Sequence, residues 1–104
     1  MGLVVAGPEA AHLYFVESVG TFFLVFTIGN VVIEPGAGPL APIPIGSCLM
    51  VMIYAGGHVS GGHFNPAVSF GCWVRGALAT KHLVPYIVYQ ILGSIIASNL
   101  VLYI

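Results

Sequence analysis

The chain has 104 residues and a formal net charge of −1; 59% of its residues are hydrophobic and 5% charged, and its mean hydropathy is +1.06. A soluble domain carries about a quarter charged residues, so a water-soluble fold is excluded. Glu9, Glu17, Glu34, Arg75 and Lys81 are too few to make a basic face for nucleic acid or an acidic one for cationic partners.

A helix needs about 20 mostly apolar residues to cross a hydrocarbon core of about 30 Å. A membrane barrel would instead show runs of about ten residues alternating apolar and polar. The apolar stretches here are continuous, so the expected fold class is an all-α membrane protein with three transmembrane helices and one re-entrant half-helix. Neither a removable leader nor a myristoyl anchor is expected, because no cationic stretch precedes a short apolar run and Ala6 stands where the acylation pattern after Gly2 needs Ser or Thr.

The first span is expected over residues 10–33, with Pro8 and Glu9 suited to its first turn. Residues 34–42 are dense in helix breakers and read as an exposed loop. A second span over 43–55 is expected to break at Gly56-Gly57, and the four glycines of residues 56–65 predict an irregular re-entrant loop. Asn65 is a strong N-cap and Pro66 suits N1, so a half-helix is expected over 66–75, ending before Gly76. At about 15 Å it would cover half a bilayer. The last span is expected over 82–104, with Pro85 in its first turn and Tyr86 and Tyr103 in an aromatic belt. Arg75 and Lys81 both fall between the half-helix and the last span, which assigns that side, and with it the N-terminus, to the cytoplasm.

A Gly-rich irregular segment is tolerated at membrane depth only where it is buried in protein or faces a water-filled cavity. The segment therefore predicts a pore or binding site with Asn65 near the midplane. There the Asn65 oxygen can accept from the amide of Ala67 or Val68, leaving its nitrogen free to donate. The helix end adds about half a positive charge, which opposes cations and protons. Carbonyls of the preceding stretch can replace lost hydration.

Residues 57–71, Gly-His-Val-Ser-Gly-Gly-His-Phe-Asn-Pro-Ala-Val-Ser-Phe-Gly, resemble the first Asn-Pro-Ala segment of the aquaporins, the major intrinsic proteins. Residues 17–26 resemble the first helix of that family and residues 86–98 its third. The resemblance implies a channel for water or small neutral solutes, tetrameric when complete. It implies that the carbonyls of Gly61, Gly62 and His63 line the pore together with the Asn65-Pro66-Ala67 helix end, that Leu24 and Leu49 form apolar wall, and that Ile45 stands at the selectivity constriction. An aliphatic residue at that position leaves small neutral solutes possible beside water. Only the first of the family's two inverted repeats is present, without the second Asn-Pro-Ala or the constriction's arginine, so the chain reads as the N-terminal half of a channel that needs a second repeat. The alternative is a non-conducting half-subunit that associates with full-length relatives and modulates their assembly or trafficking.

Glu17 in an apolar span is costly. The resemblance gives it a structural role, holding the Gly-rich loop by accepting backbone or His63 hydrogen bonds, and Gln90 the same. Gly20, Thr21 and Leu24 share the Glu17 face and Gly93 pairs with Ala97, both patterns of close helix packing. Trp73, His12 and His82 read as interfacial, and Asn30 as a helix-end hydrogen-bonder. Cys48 and Cys72 lack zinc or disulfide spacing and read as buried hydrophobes. His58 and His63 offer no third convergent metal ligand. No catalytic residue and no cofactor are expected.

Overall fold

The computed structural model describes residues 10–33 and 35–104. Four α-helices and one 3₁₀ turn make up the fold, with no strand among the described residues: α1 (Ala11–Val32), the 3₁₀ turn Gly38–Leu40, α2 (Pro42–Ser60), α3 (Pro66–Val74) and α4 (Thr80–Tyr103). Among the described residues three helical stretches are long and apolar enough to cross a membrane, namely α1, the 3₁₀ turn continued by α2, and α4. Pro8, Glu9 and Glu34, which entered the sequence reading, lie outside the described residues.

Helices α1 and α4 run in the same direction. Tyr14 meets His82 and Tyr86 at one end, Glu17 meets Gln90 further in, and Gly29 meets Val101 at the other end. Helix α2 runs back beside α1, with Cys48 against Phe23 and Ser60 against Glu17, and α3 leads on to the start of α4, where Trp73 meets Thr80. Small residues set the α1–α4 spacing: a Cβ on Gly93 would collide with the Ser18 carbonyl, and one on Gly29 would stand 2.8 Å from the Val101 side chain. Ala10, Tyr14, Leu78, Leu83 and Tyr86 form a buried apolar cluster where α1 and α4 begin, with Cys72 and Trp73 of α3 against it.

The second helix corrects the sequence expectation. It does not break at Gly56-Gly57 but continues to Ser60, and it starts on Pro42, which sequence assigned to the loop. Each glycine costs a helix about 1 kcal/mol relative to alanine, and close packing offsets that cost here. Gly56 is buried, and a Cβ on it would stand 2.6 Å from the Val16 side chain of α1. The helix stops at Gly61, whose φ of +93° is a left-handed cap. The irregular segment is thus 61–65 rather than 56–65.

The short helix ends in a Schellman motif: the Ala77 amide donates to Cys72 O and the Gly76 amide to Trp73 O, with Gly76 at φ +87°. Thr80 Oγ1 accepts from Trp73 Nε1 at 3.0 Å, tying the start of α4 to α3. Helix α4 therefore starts two residues before the expected 82, and Pro85 lies in its second turn rather than its first. Tyr86 is a further correction. It is only 3% exposed, turned into the bundle rather than out to the lipid interface, and its hydroxyl donates to Ser60 O at 2.7 Å.

Candidate functional site

The segment 61–65 is held from three helices. Glu17 of α1, fully buried, accepts four hydrogen bonds: Oε2 from Ser60 Oγ at 2.6 Å and the His63 amide at 3.1 Å, Oε1 from the Phe64 amide at 2.7 Å and Gln90 Nε2 at 2.8 Å. Four donors match the four lone-pair positions of an acceptor-only carboxylate. Two of the donors are backbone amides of the irregular segment, groups that would otherwise be orphaned in an apolar setting. The sequence reading allowed Glu17 to accept from His63; the donor is the amide, while the ring turns elsewhere.

That ring packs against Tyr86, with centroids 5.3 Å apart, and its Nδ1 lies 2.9 Å from Ser69 Oγ. Ser69 Oγ also accepts from Gln90 Nε2 at 2.9 Å. Glu17, Ser60, His63, Ser69 and Gln90 thus form one connected polar cluster between otherwise apolar helices. Gln90 Oε1 is buried without a partner among the described residues, since both hydrogens sit on the nitrogen side of the amide where the acceptors are.

Phe64 fixes the turn into α3. It is 1% exposed and has φ +52°, a left-handed conformation that a bulky residue rarely adopts. Its amide is pinned by Glu17 and its ring fills the space a side chain would need at Gly20. The strain is held by these surroundings, and it aims the next residue.

Asn65 then caps α3 with extended backbone (φ −161°), and its Oδ1 accepts from the Ala67 amide at 2.7 Å. That bond fixes the orientation of the amide. Asn65 is exposed, and its Nδ2 has no partner among the described residues. Neither do the carbonyls of Gly61, Gly62 and His63 accept from any described residue. Ser69 stands beside Gln90, ten residues into α4, and Asn65 is one turn further along. At 1.5 Å per residue this is about 20 Å along a helix of about 36 Å, close to its middle. Three open acceptors and one open donor therefore adjoin the N-terminus of a nine-residue helix.

A sequence model of the major intrinsic protein family matches residues 11–104. The chain belongs to the major intrinsic protein family. Aquaporin Z of Photorhabdus laumondii is 44% identical over 89 residues, 79% of this chain and 38% of that protein. Aquaporin Z of Brucella melitensis is 46% identical over 89 residues, 79% and 39% of the two chains. Aquaporin Z of Rhodopseudomonas palustris is 38% identical over 94 residues, 84% and 39%. The chain spans about two fifths of the length of these curated relatives. As a member of the major intrinsic proteins with three long apolar helices, it is an integral membrane protein.

The other residues named from sequence are dispersed. Pro66 and Ala67 form the first turn of α3. Leu24 is half-buried on α1; Ile45 is half-buried and Leu49 exposed on α2, all three outside the polar cluster. Thr21 Oγ1 donates to Glu17 O, Asn30 Nδ2 to Phe26 O, and Cys48 Sγ to Phe23 O at 3.5 Å. His12 is exposed, whereas His82 is half-buried against Tyr14. Sequence reasoning missed Ser60, Ser69 and Phe64. Ser69 carried a signal, being an isolated hydroxyl in the expected half-helix, whereas Ser60 lay in the stretch expected to be irregular and Phe64 looked like any core aromatic.

Proposed function

We propose that the chain supplies one half of a passive membrane channel for water or a small uncharged solute, completed by a second repeat or a full-length homologue. The observation that carries this reading is the open donor of Asn65 beside the open carbonyls of Gly61, Gly62 and His63, at the electropositive end of α3. A solute with one acceptor and one donor can exchange its hydration for these groups, while the helix end, with about half a positive charge, repels cations. Asn65, Pro66 and Ala67 form the donor end, and Leu24, Leu49 and Ile45 supply apolar wall and constriction. Glu17 and Gln90 hold the segment in place and do not touch the solute. In this reading Arg75 and Lys81 face the cytoplasm, and the complete protein is a tetramer with a pore in each subunit. Family membership and the Aquaporin Z relatives support the class of solute.

The test is Asn65→Asp in the full-length protein in liposomes. A carboxylate at the helix end offsets its positive charge, so cation leak rises while osmotic water flux persists. Unchanged cation leak would overturn the role given to Asn65, and absence of water and solute flux in the unaltered protein would overturn the channel reading.

A further inference from the structure

The hydroxyl of Ser69 sits between two groups whose hydrogen-bonding directions can be worked out. Gln90 Nε2 lies 2.8 Å from Glu17 Oε1 and 2.9 Å from Ser69 Oγ. Both oxygens of Glu17 already act as acceptors, Oε1 from the Phe64 amide and Oε2 from Ser60 Oγ and the His63 amide, so the atom of Gln90 facing Oε1 is the amide nitrogen. Exchanging nitrogen and oxygen would set two oxygens against each other. It would also bury both N–H groups where Oε1 now stands with no partner, and orphaned donors are rarer than under-satisfied carbonyls. Both hydrogens on Gln90 Nε2 are therefore donated, one to Glu17 and one to Ser69.

Ser69, fully buried, thus accepts from Gln90 and has one proton of its own to place. Among the described residues, the other polar side-chain atom it meets is His63 Nδ1 at 2.9 Å. Were Nδ1 protonated, Ser69 would accept twice and its own proton would be buried without an acceptor, at a cost of about 1–3 kcal/mol. The consistent arrangement is a one-way relay in which Gln90 donates to Ser69 and Ser69 donates to His63 Nδ1. The neutral imidazole then carries its proton on Nε2.

We infer that Ser69 is a positioning residue that, through this relay, holds His63 as the Nε2–H tautomer. The ring is half-buried, and its Nε2 edge lies against Gly61, 3.2 Å from where a Cβ would stand. A side-chain donor thereby faces the start of the segment whose carbonyls are acceptors, a second donor besides Asn65. The tautomer itself follows from the hydrogen bonds; its use by a solute rests on the channel reading above.

The full-length protein labelled with ¹⁵N-histidine and reconstituted in liposomes is examined at neutral pH by solid-state NMR, in which bare and protonated ring nitrogens resonate far apart. His63→Gln identifies the signal. The unaltered protein is expected to show His63 with bare Nδ1 and protonated Nε2. Ser69→Ala populates both tautomers, and Ser69→Thr, which keeps the hydroxyl, restores the single one. Protonated Nδ1 in the unaltered protein overturns the inference, as does a spectrum unmoved by Ser69→Ala. Should Ser69→Ala fail to fold, the unaltered and Ser69→Thr spectra still decide the matter. Water flux measured in parallel separates the two claims: a single Nε2–H tautomer without flux upholds the relay and refutes the channel, and flux with the opposite tautomer does the reverse.

Discussion

Replacing Glu17 by glutamine keeps the shape of the side chain and removes the acceptor capacity on which the 61–65 segment rests. The carboxylate accepts from Ser60, His63, Phe64 and Gln90, two donors to each oxygen. A glutamine offers one oxygen, so whichever way its amide turns, two donors face an NH₂ group, and at least one of them is a backbone amide. Hydrogen bonds to a charged group contribute about 1.5–3 kcal/mol each, so losing the backbone amide's alone costs about 1.5–3 kcal/mol and losing both about 3–6 kcal/mol, the Ser60 hydroxyl being able to turn and accept instead. A domain stable by about 5–15 kcal/mol would lose a large share of its margin. Unfolding in mixed detergent micelles measures the total, and amide hydrogen exchange locates it: protection should fall at His63 and Phe64 and persist in α1 away from the site. A stability within about 1 kcal/mol of the unaltered protein, with both amides still protected, would refute the assignment of the carboxylate as the anchor.

Gly20→Ala sets a methyl into the Phe64 ring, an overpacking that costs about 1–3 kcal/mol. Phe64→Leu should relieve part of it, giving a favourable coupling in a double-mutant cycle. Gly93→Ala meets the Ser18 backbone oxygen instead, so no side-chain change relieves it, and thermal unfolding of the pair should show the larger loss at Gly93. At Gly76 nothing lies within 4 Å of an added Cβ while φ is +87°. Gly76→Ala should therefore cost only the left-handed penalty of about 1–2 kcal/mol, and Gly76→Asn less, by denaturant midpoints.

The long elements were legible because length and continuous apolarity suffice for a spanning helix, and the cap at Asn65 followed from adjacent Asn and Pro. The end of α2 was not legible. Gly56 and Gly57 have poor intrinsic helix propensity, and the close approach of Gly56 to Val16 of α1 and of Gly57 to Gly62 favours the helix there. The same applies to Tyr86, whose composition suits an interface until Ser60 O is brought to its hydroxyl by a helix 26 residues away. Glu17 and Gln90 stood out as costly polar residues in apolar spans, but the identity of their partners depends on contacts 43 to 73 residues apart in sequence. Phe64 carried no local sign, since left-handed backbone at a bulky residue is imposed by its surroundings.

The partners of Glu17 all come later in the chain, between Ser60 and Gln90. While α1 is the only helix in the lipid, Glu17 has none of them; an acid at the centre of such a helix costs about 2.5–3.5 kcal/mol on translocon scales, and Glu17, in the second turn, bears part of that cost. The apolar remainder of α1, with mean hydropathy 1.7 over its best window, has to carry that burden until the later segments arrive. Docking α2 and α4 thus does two things at once: it gives partners to a polar side chain stranded in hydrocarbon, and it uses that side chain to shape the five residues preceding α3. A ribosome that has not yet reached residue 90 leaves this task half done.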